Sequence, residues 1–241
     1  VFLNKVARFD SIHLVDDGNA TLGLAERIAK RTLHKLRKNL TPRSGLASAI
    51  QASLGLSPVF LYDARFFTIY GITHSQLDGR IVRNELKFCK SRLGEKPRTD
   101  EIWFIGSDIR REWLENRADY DAFLEQVHRR INLSKVVYIP HRKEPDDYLA
   151  EVSRRYGMEV RRLNAILELE LVSAPTLPKA FASFGSSALD TIDILIKPPI
   201  TVFRPPSAAI RQTLRQMVDE IYVEAINKGF KVIDLEMPTK A

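Results

Sequence analysis

The sequence feature that most constrains the fold is a regular alternation of apolar runs and amphipathic segments after residue 98. The apolar runs predict strands at residues 101–107, 136–139, 158–160, 179–185 and 200–203. The amphipathic segments predict helices at residues 119–131, 146–156, 188–192 and 207–228. Alternation of this kind is typical of an α/β fold in which helices cover a parallel sheet, and ligands bind such sheets at the carboxyl ends of the strands.

The first part of the chain contains a further strand and helix. Residues 9–15 predict a strand that runs into Asp16-Asp17-Gly18, and residues 21–29 predict a helix. A change in composition at residues 90–100, with Gly94 and Pro97 among basic residues, predicts a domain boundary. We therefore divide the chain into domains at residues 1–97 and 98–241. Since the first residue is valine, we expect an internal start of a longer protein.

Charge and composition narrow the classes of function. The net charge of +7 favours an anionic partner. No apolar run approaches the roughly 20 residues of a membrane span. The single cysteine, Cys89, excludes an intramolecular disulfide. Residues 30–43 are rich in lysine and arginine and contain no acid, which indicates a peripheral contact with an anionic membrane, binding of an acidic polymer, or a solvated helix face.

Four groups of polar residues follow predicted strands. They are Asp16 with Asp17, Gly106 with Ser107, His141 with Arg142, and Ser186 with Ser187. Each group has a functional and a structural interpretation. The aspartates favour a general base or an ordinary turn with a helix cap, and the serines favour a phosphate cradle or a simple cap. The histidine and its neighbouring cations, before a helix that Pro145 opens, predict an anion site.

The set of strand-end residues suits group transfer from a nucleotide monophosphate donor. Phosphate-loop, dinucleotide, zinc-hydrolase and serine-hydrolase motifs are absent from the sequence. An acidic residue could take the proton of an acceptor hydroxyl, while a cation and hydrogen-bond donors stabilise the leaving phosphate. Because protein donors can neutralise a single phosphate, we predict no metal site and no cofactor.

The order of these motifs resembles a known family. Asp-Asp-Gly at residues 16–18, the segment around His141 and Ser-Ser at residues 186–187 are similar to the motifs of bacterial sialyltransferases of GT-B architecture. The spacing most resembles the capsule polysialyltransferase group, and the resemblance spans residues 10 to about 195. It implies a GT-B-like fold of Rossmann-type sheets with helices on both faces and an incomplete N-terminal domain.

The resemblance implies an inverting transfer of sialic acid from CMP-sialic acid to a hydroxyl of a surface glycan, of capsule or lipooligosaccharide type, without a metal. Residues 1–97 would then belong to the acceptor side, and residues 98–241 would form the CMP-donor-binding domain. The family also implies a cytoplasmic protein, or one that is peripheral at the inner membrane.

The resemblance also assigns roles to residues. Asp16 would be the general base with Asp17 as its neighbour, and His141 would bind the donor phosphate or protonate it as CMP leaves. Ser186 and Ser187 would hold the same phosphate.

The remaining assignments concern the nucleotide. Gly106 and Ser107 resemble the first nucleotide-contacting loop, and Glu168 resembles an acid that binds the ribose hydroxyls, a role that Glu170 could also fill. One departure is that Arg142 stands where the family has proline, so Arg142 could add a phosphate contact.

Three alternative classes of function compete with sialyl transfer. One is a GT-B transferase of cell-surface polymers with another nucleotide donor, and a second is a non-catalytic nucleotide- or glycan-binding domain. A nucleic-acid-binding module is disfavoured, because the aromatic residues lie in apolar strand runs and do not alternate with basic residues.

Overall fold

The chain forms two α/β units. A computed structural model describes residues 11–16, 18, 20–32, 63–131 and 136–238, and the units divide between Leu86 and Lys87. Asp17 and most of the basic stretch at residues 30–43 lie outside the described residues. Both units contain parallel sheets flanked by helices, which confirms the predicted α/β, Rossmann-like fold class.

The first unit contains a small parallel sheet. Its described elements are β1 (His13–Val15), α1 (Ala20–Ala29), β2 (Arg65–Thr68) and β3 (Ile81–Arg83). The strand order is β1-β2-β3, and Leu14, Phe66 and Ile81 lie side by side across it. Phe66 packs with Ala25 and Ile28 of α1, so the apolar side of the helix covers the sheet.

The second unit is built on six parallel strands. The strands are β4 (Ile102–Ile105), β5 (Val136–Ile139), β6 (Glu159–Val160), β7 (Ala180–Ser183), β8 (Ile200–Arg204) and β9 (Lys231–Asp234). The helices are α2 (Lys87–Leu93), α3 (Ile109–Glu112), α4 (Asp119–Arg130), α5 (Asp146–Tyr156), α6 (Leu167–Ser173), α7 (Ala188–Ile196) and α8 (Arg215–Asn227).

The strand order in this sheet is β6-β5-β4-β7-β8-β9. The chain therefore builds outward from β4 in one direction and then returns to build outward from β4 in the other. The order reverses between β4 and β7, and doubly wound sheets bind ligands at the carboxyl ends of the strands on either side of such a reversal. Ser107 and Ser186 follow these two strands.

The core explains why the central strands are apolar on both faces. All of β5 is buried, and Phe104 of β4 is fully buried between layers. The Phe104 ring stacks on Tyr138 at a centroid distance of 5.7 Å and meets Phe184 edge-on at 5.3 Å. Burial of one such ring contributes about 1.5–3 kcal/mol, so this cluster fixes β4, β5 and β7 in one layer.

Two boundaries differ from the sequence predictions. Helix α2 occupies part of the predicted domain boundary and packs against α6, so it belongs to the second unit. The helix predicted from Ser207 begins only at Arg215, and the prediction is wrong over residues 207–214. There the backbone pairs elsewhere, since Ile210 bridges Leu114 and the Arg211 amide donates to the Trp113 carbonyl at 2.8 Å.

Candidate functional site

The loops after β4 and β5 are in direct contact at Gly106. The Gly106 amide donates to the Ile139 carbonyl at 2.7 Å. A Cβ at position 106 would lie 2.7 Å from Glu144 Oε2 and 2.9 Å from the His141 backbone nitrogen. Only glycine fits this approach, so Gly106 brings the predicted Gly106-Ser107 and His141 segments together at one edge of the sheet.

The Glu144 carboxylate holds the His141 loop. Glu144 Oε2 accepts the His141 amide at 2.6 Å, and Glu144 Oε1 accepts the Tyr138 hydroxyl at 2.7 Å. The Tyr138 hydroxyl also lies 3.0 Å from that of the buried Tyr120. Burial raises the pKa of the Glu144 carboxyl above 4.5, although both hydrogen bonds act in the opposite direction. Glu144 was not among the site residues predicted from the sequence.

Local hydrogen bonding fixes the tautomer of His141. The Lys143 amide donates to His141 Nδ1 at 3.3 Å, so the proton of the neutral imidazole is on Nε2. The pKa of His141 lies below 6.5, chiefly because the ring is partly buried and although the nearby Asp108 carboxylate favours the charged form. His141 is therefore a neutral hydrogen-bond donor through Nε2 near pH 7.

The two cations after His141 behave differently. Arg142 is exposed and forms no ion pair within the described ranges of the chain. Lys143, which was not among the predicted site residues, lies 3.7 Å from Asp108 and 3.4 Å from Glu112. Arg142 is thus the cation at this turn that is available to bind a ligand.

The three serines at the end of β7 and in the turn after it have different roles. Ser183 Oγ donates to the Ile105 carbonyl at 2.8 Å and accepts the Ser186 amide at 3.1 Å, which ties this turn to the end of β4. Ser186 Oγ accepts the Ala188 amide at 3.3 Å, so it contributes to capping α7. Ser187 is the N-cap residue, and its side chain makes no capping hydrogen bond. Ser183 was missed because its residue type and position match an ordinary strand end.

The predicted donor-site residues emerge from three adjacent strands. Neighbouring strands lie about 4.8 Å apart, so the strands that precede His141 and Ser186 are separated by about 10 Å, with the Gly106 loop between them. Within the described residues, no hydrogen bond joins His141 to Ser186 or Ser187. His141 and the two serines share an edge of the sheet, and the Gly106 loop lies between them.

Glu168 and Glu170 differ in their hydrogen bonds within the protein. Glu170 Oε1 accepts the amides of Asn164 and Ala165 at 2.7 and 2.8 Å, which occupies that carboxylate in shaping the turn before α6. Glu168 makes no hydrogen bond or ion pair in the part of the chain that the structure describes. Of the two acids, Glu168 is the one available to a ligand.

Asp16 belongs to the first unit. Its Oδ2 accepts the Ile69 amide at 2.5 Å, which joins the end of β1 to the end of β2. Its Oδ1 is buried without a hydrogen-bond partner among the described residues. Asp16 therefore has a structural contact through one oxygen, and the other oxygen is uncommitted.

The described residues include no group of three or more His, Cys, Asp or Glu side chains placed to hold a metal ion. No helix in the described ranges is long and apolar enough to cross a membrane. No protein-family model matches the sequence, and a comparison with curated proteins finds no match.

Proposed function

We propose that this protein is a glycosyltransferase that transfers sialic acid from CMP-sialic acid to a glycan hydroxyl, with the donor at the carboxyl edge of the six-stranded sheet. The observation that carries the proposal is that the Gly106 and Ser186 loops lie where the strand order reverses and that the His141 loop contacts the Gly106 loop beside them. The choice of CMP as the nucleotide comes from the motif order in the sequence.

The donor phosphate has two sets of partners in this proposal. A phosphate that accepts hydrogen bonds of about 2.8 Å from opposite sides covers most of the distance of about 10 Å between the two strands. His141 Nε2–H would donate from one side, and the uncommitted Ser187 hydroxyl would donate from the other. Arg142 is exposed beside His141 and would add a charge-assisted contact.

His141 acts as a hydrogen-bond donor in this proposal and does not supply a proton to the leaving group. Its lowered pKa keeps the imidazole neutral near pH 7. A phosphate monoester has a second pKa of about 6, so CMP can leave without being protonated. The bond between the sugar carbon and the phosphate oxygen breaks, and its electron pair leaves with CMP.

The acceptor hydroxyl needs a base, and we assign this role to Asp16. A carboxylate in this role would take the hydroxyl proton as the oxygen attacks the sugar carbon. The Asp16→Asn variant is a clean test, because its side-chain carbonyl can still accept the Ile69 amide. We expect sialyl transfer to disappear while CMP affinity stays within about twofold of that of the wild type.

The donor is tested by calorimetric titration of the full chain with CMP, UDP, GDP and CDP. We expect CMP to bind most tightly. His141→Ala should weaken CMP binding by about tenfold or more, whereas His141→Gln, which keeps an N–H donor near the Nε2 position, should lose less. A preference for another nucleotide would favour a transferase with a different donor. Absence of all nucleotide binding would contradict the proposal.

A further inference from the structure

A second candidate site lies beside the His141 loop. A cavity of about 170 Å³ is lined by Ser107, Arg110, Arg111, Arg117 and Lys143, with Asp108 and Glu144 also in its wall. We call it the arginine cavity. It opens between the loop that follows β4 and the loop that follows β5.

The acids of the arginine cavity already have partners. Asp108 lies 3.7 Å from Lys143 Nζ, and both oxygens of Glu144 accept hydrogen bonds from the protein. Arg110, Arg111 and Arg117 form no ion pair among the residues that the structure describes. Three arginines and Lys143 against the carboxylates of Asp108 and Glu144 leave the cavity with an excess of positive charge.

Two buried polar atoms in this wall lack a partner. Ser107 Oγ and Arg110 Nε are inaccessible to solvent, and neither makes a hydrogen bond within the described part of the chain. The Arg110 guanidinium is held over the Tyr148 ring at 4.5 Å, so its position is fixed by packing. Buried donors without acceptors are uncommon in folded proteins, and a functional role is one of the explanations for them.

The volume limits what can enter. Since one water occupies about 30 Å³ in the liquid, the arginine cavity has room for roughly six waters. Sites for whole drug-sized ligands usually start near about 300 Å³. The cavity therefore suits a single charged group with a few waters and is too small for a complete nucleotide.

We propose that the arginine cavity binds a small oxyanion, a carboxylate or a phosphate group, through Arg110, Ser107 and Arg117. This site is separate from the donor phosphate position at His141 and Ser187, and it assigns the Ser107 hydroxyl to the oxyanion in place of the nucleotide. The oxyanion has two possible sources, the carboxylate of a sugar acid and phosphate itself. The proposal does not depend on the donor being CMP-sialic acid.

The test is calorimetric titration of the full chain with sodium phosphate and, separately, with free sialic acid. The informative variants are Arg110→Gln, Ser107→Ala and Arg117→Gln. Arg154→Gln on α5 is the matched control, because it removes the same charge from an exposed arginine outside the cavity. Far-UV circular dichroism checks that each variant is folded, and the exposed Arg117 remains informative if Arg110→Gln unfolds.

We expect the wild type to bind at least one of the two anions. Arg110→Gln should weaken that binding by about tenfold, Ser107→Ala and Arg117→Gln by a few-fold, and Arg154→Gln by less than about twofold. The anion that binds more tightly identifies the source. Absence of binding by the wild type overturns the proposal, and so does an equal loss in Arg154→Gln, which would indicate attraction to the overall positive charge alone.

A parallel titration with CMP separates this proposal from the proposed function. If His141→Ala abolishes phosphate binding as completely as Arg110→Gln does, the two positions are one site and the separate oxyanion site is overturned. If CMP fails to bind the wild type while phosphate binding still depends on Arg110, the proposed function fails and the arginine cavity stands.

Discussion

Glu144 is the residue that joins the strand-end loops to the core. Its two oxygens connect the His141 amide to the buried Tyr138 and Tyr120 hydroxyls. This role could not be read from the sequence, because it depends on the approach of Gly106, which belongs to a different loop. His141 was predicted from its position after an apolar strand. Ser107 was predicted from a similar position, but the burial of its hydroxyl without a hydrogen-bond partner is seen only in the structure.

Removing the Glu144 carboxylate should destabilise the second unit. Glu144→Ala leaves the His141 amide and the Tyr138 hydroxyl without their acceptor, and we expect a loss of about 2 kcal/mol in the free energy of unfolding. Both tryptophans, Trp103 and Trp113, belong to this unit, so their fluorescence during urea denaturation measures its stability. Glu144→Gln retains one acceptor and should lose less; equal losses would contradict the role of the hydrogen bonds.

The lowered pKa of His141 predicts a pH dependence of stability. Between this lowered pKa and 6.5 the unfolded chain binds the proton more readily than the folded chain does. Stability should therefore fall as the pH drops below about 6.5. We therefore measure the free energy of unfolding by urea denaturation at about pH 7.5 and about pH 5.5. It should fall less between these two values in His141→Gln than in the wild type. Identical pH profiles of the two proteins would show that the ring titrates as in the unfolded chain.

Most of the helices and strands of the second unit can be predicted from the local pattern of apolar and polar residues. The strands β4, β5, β7 and β8 are short apolar runs at the predicted positions, and α4 and α5 have the amphipathic spacing that predicts a helix. The segment before α8 was predicted wrongly because its sequence is compatible with a helix. Its backbone instead pairs with the connection between α3 and α4, a contact between distant parts of the chain.

Helix α8 is anchored to two strands through one hydroxyl. The buried Tyr222 donates to the Phe184 carbonyl at 2.5 Å and lies 3.2 Å from the Phe203 carbonyl. Tyr222→Phe leaves both carbonyls without this donor, and we expect a loss of about 1–3 kcal/mol in stability. Tyr156→Phe, which removes a single bond to the Asp121 carbonyl nearer the surface, should cost less in the same denaturation experiment. The reverse order would contradict the anchoring role.

At the scale of the whole molecule, the chain consists of two units that each have their own sheet. The alternation of strands and helices predicted a parallel sheet in the second unit, and the six-stranded order confirms it. A single sequence does not encode strand order directly, so the reversal between β4 and β7 emerged only from the structure. The assignment of acceptor and donor roles to the two units stays a prediction.

The second unit should fold by itself. Its apolar core is continuous from Leu93 to Leu235, and its six strands pair only with one another among the described residues. We expect the fragment of residues 87–241 to show cooperative urea denaturation with the tryptophan emission of the full chain. A non-cooperative transition or solvent-exposed emission would show that residues 1–86 are needed for its folding.

The approach of Gly106 to Glu144 has a consequence for how the sequence can diverge. A side chain at position 106 collides with the carboxylate at position 144 and with the backbone at His141 and Ile139, so a change at position 144 relieves only part of the constraint. In a double-mutant cycle, the destabilisation caused by Gly106→Ala should be smaller in a chain that already carries Glu144→Ala. Because the backbone contacts remain in both chains, position 106 should remain glycine over evolution whichever residue occupies position 144.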